Sequence, residues 1–210
     1  MNTHILDSII WAHSETPKEI FDRIYDKNLW QSDESVSGKG SELSCARNIL
    51  ERLPFLLKKY GIKTIMDAPC GDYNWIKHLD YTFDKYTGID IVENLINKNK
   101  KYENEKIKFF QGDILSCNFP PADLILCRDC FIHLTFEQIF KALENFKKSK
   151  SKMVMLTTYN IGQNKEVLTG QFRKINLLLP PFNFPEPLDC IRELPLEDGK
   201  YICLWKLEDL

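Results

Sequence analysis

Apolar and polar positions along the chain follow two alternating rhythms. Short apolar runs of strand length recur, each ending at polar residues: Thr64-Ile-Met66 before Asp67, Tyr86-Thr-Gly-Ile89 before Asp90, Ile107-Lys-Phe-Phe110 before Asp113, Leu124-Ile-Leu-Cys127 before Arg128 and Asp129, and Met153-Val-Met-Leu156 before Thr157. Between them, Trp75 to Leu79, Val92 to Tyr102 and Phe136 to Phe146 carry apolar residues at three- and four-residue spacings. Strands separated by helical segments of crossover length predict a parallel sheet with helices on both faces. Two apolar runs around Leu188 to Leu194 and Tyr201 to Leu207 flank a Glu-Asp-Gly turn and predict a closing antiparallel hairpin. The expected fold is therefore α/β, a Rossmann-like, seven-stranded, mostly parallel sheet.

Upstream, Ile5, Ile9, Ile10, Ile20, Ile24 and Tyr25 predict two short amphipathic helices on either side of Ser14-Glu-Thr-Pro17. A polar stretch rich in serine and glycine, Gln31 to Ser41, reads as a loop. A helix from Ser41 to Tyr60 follows, with Leu43, Ala46, Ile49, Leu50 and Leu53 on one face, Pro54 kinking or splitting it, and Gly61 ending it. Residues 1–40 are thus expected to form an extension or lid, and residues 41–210 the main domain. The proline-broken run Leu177 to Pro187 reads as a rigid spacer, or as a lid edge or interface.

Composition narrows the function. The 210 residues carry 28 Lys+Arg against 30 Asp+Glu, a net charge of -2, which gives no overall field to recruit nucleic acid or an anionic membrane. The lysines at 98, 100, 101, 106, 147, 148, 150 and 152 read as solvated helix faces away from any ligand rim. No run approaches the roughly 20 apolar residues of a membrane helix. Seven cysteines, an odd number and scattered, suggest a reduced, cytoplasmic setting rather than a disulfide framework or a zinc knuckle. No compact set of histidines and carboxylates predicts a metal.

In an open parallel sheet, ligands collect beyond the carboxyl ends of the strands. Three of those positions are acidic here, Asp67, Asp90 and Asp113, each 23 residues from the next. One Asp after a strand is ordinarily a helix cap or a turn residue. Three in register, with Gly71 in the first turn, point to one ligand with several hydrogen-bond donors.

In these motifs the chain resembles the class I S-adenosylmethionine-dependent methyltransferases, over roughly Ile62 to Leu156. Asp67-Ala-Pro-Cys-Gly-Asp72 is similar to that family's first motif, in which the turn brings backbone close to the amino-acid portion of the cofactor. Only Gly71 of this turn is glycine. The resemblance implies that Asp67, Ala68 and Gly71 hold that portion, that Asp90 in Thr87-Gly-Ile-Asp-Ile91 accepts from the ribose diol, and that Asp113 in Gln111-Gly-Asp-Ile114 accepts from the adenine amino group. Ile91 and Ile114 would pack against the ring. A fourth motif, Leu126 to Leu134, would place Arg128, Asp129 and His133 beside the methyl group.

His133 is the candidate general base, with Asp129, four residues earlier, holding its tautomer if the segment is helical; packing against backbone is the alternative. Arg128 could touch the cofactor, clamp an anionic group of the acceptor, or be tied up in a salt bridge. Lys39 in Ser37-Gly-Lys-Gly-Ser41, the aromatics Tyr73 and Trp75, Tyr159 with Asn160, and Arg173 complete the candidate substrate contacts.

The Ser-Gly-x-Gly-Ser loop, Cys-Gly-Asp turn and Cys-Arg-Asp segment are similar to small bacterial methyltransferases encoded among surface-polysaccharide genes. That similarity implies O-methylation of a small polar acceptor such as a sugar or a phosphorylated or phosphoramidate precursor. Two other readings stand beside it: a silent adapter that binds the cofactor without transfer, and a nicotinamide-dependent Rossmann oxidoreductase, whose G-x-G-x-x-G turn is lacking here. Oligomeric state is left open by the sequence.

Overall fold

The computed structural model describes residues 15–210. Of the two N-terminal helices expected, the one carrying Ile5, Ile9 and Ile10 lies outside the described residues. The other is α1 (Pro17–Asp26), begun by a capping box in which Thr16 and Glu19 satisfy each other's backbone N–H groups. Helix α2 (Leu43–Lys59) follows, with Pro54 buried inside it. Pro54 does not split the helix, which runs continuously through it.

The strands fall where the apolar runs placed them: β1 (Thr64–Asp67), β2 (Lys85–Asp90), β3 (Ile107–Gln111), β4 (Leu124–Cys127) and β5 (Met153–Tyr159), then β6 (Asp189–Arg192) and β7 (Lys200–Lys206). They form one sheet in the order β3-β2-β1-β4-β5-β7-β6. β1 to β5 are parallel, and β7 runs antiparallel to both β5 and β6. Every residue of β4 is buried, as a central parallel strand covered on both faces requires.

Alternate residues feed two cores. Met66, Ile125 and Val154 face one layer with Phe146 of helix α4 (Phe136–Lys148); Ile65, Leu124 and Met155 face the other with Ile49, Leu53 and Leu57 of α2. Helix α3 (Glu93–Asn99) bridges β2 and β3.

Three expectations need correction. Trp75 to Leu79 is not a crossover helix: only a 3-10 turn, Ile76–His78, forms, because five residues after the 67–74 loop are too few to nucleate a longer helix. The proline-rich run is neither spacer nor lid edge: Leu177, Phe182 and Phe184 are buried, and Phe184 meets Trp205 edge-on at 5.7 Å. Cys190 and Cys203, directly opposite across β6 and β7, form a disulfide, so the expectation of a fully reduced chain fails for this pair. Among the described residues, no helix is long and apolar enough to cross a membrane.

Candidate active site

The parallel strands end on a cavity of about 560 Å³. Asp67, Asp90 and Asp113 all line it, with Gly71, Ile91 and Ile114 between them. The loop after β1 is pinned to the sheet from below. The Ala68 N–H donates to the Leu126 carbonyl (2.8 Å) and the Cys70 N–H to the Ile89 carbonyl (2.9 Å). Gly71 then turns with φ +55°, a left-handed conformation in which a Cβ would collide with Ser37. Its N–H donates to Asp90 (3.0 Å), and its carbonyl accepts from Asn99 (2.8 Å).

The Asp90 carboxylate also accepts from the Val92 N–H at 3.0 Å, so its orientation is fixed before any ligand arrives. Burial pushes its pKa up to about 6, against the lowering effect of these backbone donors. Burial likewise pushes Asp67 up to about 7, although the Tyr86 hydroxyl donates to it at 2.6 Å. Asp113 accepts from the Leu115 N–H at 2.8 Å, the turn role open to any Asp there, and still faces the cavity.

Asp67 and Asp90 make the stability of the empty protein pH-dependent. Their folded pKa values lie above the ordinary carboxylate range, so between about pH 4 and pH 7 the folded chain holds more protons than the unfolded chain. Their contribution to stability therefore falls as pH rises through that window. Urea denaturation at pH 5 and pH 7.5 is expected to show this decline, and Asp67→Asn is expected to flatten it. An unchanged slope in Asp67→Asn would remove Asp67 as its source.

Arg128, which also lines the cavity, is buried and committed. Its Nε donates to Glu193 at 2.9 Å, its Nη2 to Glu193 and to the Gly40 carbonyl (2.7 Å), and its guanidinium lies 5.1 Å over the Trp75 ring. It is therefore not a free anion clamp. Asp129 sits at φ +53°, its N–H held by Thr157 (2.8 Å) and its carboxylate by Lys200 (2.6 Å). Burial works to raise the Asp129 pKa, but Lys200 and Arg128 outweigh it and hold it at about 2.

The 130s segment turns as a 3-10 element, Phe131–His133, rather than an α-helix, and Asp129 does not orient His133. The Gln171 carbonyl does, 3.1 Å from Nδ1. With Nδ1 protonated toward that carbonyl, Nε2 is left as the acceptor. Burial lowers the His133 pKa below its ordinary value, which keeps the ring neutral near pH 7. Trp30 stacks on the imidazole at 5.1 Å and 27°.

Lys39, Trp75 and Tyr159 line the cavity; Ala68, Tyr73 and Arg173 do not. Ala68 is fully buried beneath the loop. Tyr73, at φ +60°, turns into an aromatic cluster with Tyr86, Tyr102 and Phe109. Arg173 is buried behind His133, donating to the Leu134 carbonyl and lying 4.9 Å over Phe136, and its neighbour Phe172 reaches the cavity instead. Asn160 is exposed and caps the hairpin through the Gly199 carbonyl.

The Ser-Gly loop expected here forms a wall of the cavity, tied down where Ser35 and the Val36 N–H donate to Asp72 at 2.8 and 3.1 Å. Two lysines expected on solvated faces border a smaller cleft beside the site, Lys98 over the Tyr25 ring at 5.2 Å and Lys101 over Tyr102 at 4.9 Å.

Sequence reasoning missed Glu193 and Lys200, whose roles depend on the hairpin folding back to the β4 end, and Trp30. An acid enclosed in the apolar stretch Cys190-Ile-Arg-Glu-Leu194 was the available signal for Glu193. It also passed over the Cys-x-x-Cys spacing of Cys127 and Cys130; both are buried free thiols, and burial raises the Cys127 pKa well above the ordinary range. Among the described residues, no group of three or more His, Cys, Asp or Glu is placed to hold a metal ion.

Residues 65–150 match the family model described as "Methyltransferase domain". The chain as a whole extends well beyond this stretch, which covers less than half of it. Its fold is shared with magnesium protoporphyrin IX methyltransferase from Synechocystis PCC 6803, solved with bound S-adenosylmethionine (TM-score 0.65, 12% identity, 93% of this chain and 99% of that one). It is shared with human N-acetylserotonin methyltransferase in complex with S-adenosylmethionine (0.62, 15%, 91% and 60%) and with the methyltransferase domain of bacterial CtHen1-CN (0.58, 18%, 77% and 99%). A search of curated proteins found no match. The residues of the cavity fit S-adenosylmethionine: Asp90 is a buried, pre-oriented carboxylate of the kind a ribose diol satisfies, and Asp113, Ile91 and Ile114 line the same space.

Proposed function

We propose that the protein transfers a methyl group from S-adenosylmethionine to an oxygen of a small polar acceptor. The observation that carries this reading is the convergence of Asp67, Asp90 and Asp113 on one cavity that also holds His133. Asp90 holds the ribose, Asp113 the adenine amino group with Ile91 and Ile114 against the ring, and the Asp67–Gly71 loop the amino-acid portion. When bound, the cofactor supplies an electrophilic methyl on its sulfonium. His133 Nε2 takes the proton of the acceptor hydroxyl as the oxygen gains the methyl, with the Gln171 carbonyl fixing the tautomer and Trp30 the ring plane. Residues 15–40 act as an extension over the site, with Pro17, Phe21, Tyr25, Trp30 and Val36 lining the cavity. The resemblance of the Ser-Gly-x-Gly-Ser loop, Cys-Gly-Asp turn and Cys-Arg-Asp segment to surface-polysaccharide methyltransferases supports a sugar or sugar-precursor acceptor.

Two measurements test this reading. Calorimetry with S-adenosylhomocysteine is expected to show one site per chain, weakened by on the order of 2 kcal/mol in Asp90→Ala, because charge-assisted hydrogen bonds are lost. Equal affinity in the variant would take Asp90 out of the site. Because burial lowers the His133 pKa, turnover is expected to rise with pH through an inflection below the ordinary histidine value of about 6.5, and to level off above it. A flat profile would count against His133 as the base, and donor binding with no transfer to any acceptor would favour the adapter reading.

A further inference from the structure

We infer that the acceptor is an uncharged ring bearing a hydroxyl, stacked against the Trp30–His133–Phe172 wall, and that Trp30 selects for it. This rests on the methyl-transfer reading above and specifies its acceptor.

The wall is the first observation. Trp30 stacks on His133, Phe172 lies 6.1 Å from the imidazole at a 55° tilt, and Phe21 extends the surface 6.5 Å from Trp30. All four side chains line the cavity, and Phe172, 58% exposed, stands at its rim as a large apolar face. An indole and a phenyl flanking the base match a flat ring whose edge carries the reacting hydroxyl.

The charges are the second. The cations at this end are neutralised within the protein: Arg128 by Glu193, Lys200 by Asp129 at 2.6 Å and Glu193 at 3.5 Å. Glu193 is fully buried, so an acceptor phosphate or carboxylate competing for Arg128 would strand a buried carboxylate. Among the described cavity residues, Lys39 is the cation outside these pairs, and it is exposed on the rim. Asp129 and Asp198 also line this end and would repel an anion.

An apolar face with a hydroxyl belongs both to a pyranose and to a phenol. The test therefore uses matched pairs on protein loaded with S-adenosylhomocysteine: methyl β-glucoside against glucose 6-phosphate, and 4-methylphenol against 4-hydroxybenzoate, with binding read by saturation-transfer NMR titration. In at least one pair the neutral member is expected to bind about tenfold tighter than its charged partner, and to lose about tenfold in Trp30→Ala but not in Trp30→Phe, which keeps a ring to stack on. The winning pair identifies the source. The inference is overturned if the charged members bind as well or better, if Trp30→Ala leaves neutral binding unchanged, or if no neutral probe binds. Failure of S-adenosylhomocysteine itself to bind would instead remove the methyl-transfer reading.

Discussion

Glu193→Ala is expected to lower stability by about 3–5 kcal/mol, because it leaves the Arg128 guanidinium buried beside the cavity without its main partner. Glu193 is 0% exposed and takes two of the guanidinium's donors, while Lys200 leans on the same oxygen at 3.5 Å. Asp129, 3.7 Å from Arg128 and already bound to Lys200, cannot take over both cations. Urea denaturation measures the loss. Replacing both partners, as in Glu193→Leu with Arg128→Leu, is expected to recover much of it, since a buried ion pair contributes little over apolar residues of similar volume. A loss under about 1 kcal/mol in Glu193→Ala would mean that Arg128 reaches solvent or another anion, and the account of a neutralised acceptor end would fail with it.

His133→Ala is expected to reduce turnover by about a hundredfold to ten-thousandfold, the usual contribution of a positioned general base, while leaving the affinity for S-adenosylhomocysteine intact. The separation matters because His133 lines the same cavity as the three acids but is held by the Gln171 carbonyl rather than by any of them. Asp129→Asn is expected to act differently. It unties Lys200 but leaves the Gln171 carbonyl on Nδ1, and because the Asp129 charge works to raise the His133 pKa, the pH inflection is expected to move down rather than vanish. Steady-state rates across pH for the two variants distinguish these roles, and normal turnover in His133→Ala would reduce the residue to packing.

The strands were legible because parallel strands in a sheet covered by helices read as short apolar runs, most strictly the fully buried β4, and because a polar residue at each carboxyl end marks where the chain reaches the ligand side. Asp67, Asp90 and Asp113 were legible for the same reason. The coupling of Asp129 to His133 was misread: a four-residue spacing implies a shared face only in a helix, and Asp129 at φ +53° sets the chain turning before the 3-10 element. Tyr73 carries the same lesson, since its positive φ sends the ring under the sheet end rather than into the cavity. Arg128, Glu193 and Lys200 come from β4 and the distant hairpin, and no local spacing announces that they meet. Trp30 lies in a polar, turn-rich stretch, where nothing in its neighbours indicates that the loop folds back onto the imidazole.

The most direct measurement of the central claim is a crystal structure of the protein with S-adenosylhomocysteine. The account predicts the ribose hydroxyls on the Asp90 carboxylate, the adenine amino group at Asp113, the amino-acid portion along the loop from Asp67 to Gly71, and the sulfur turned toward His133 and Trp30. A nucleoside found on another face of the sheet, or lying in this cavity with its ribose away from Asp90, would contradict it.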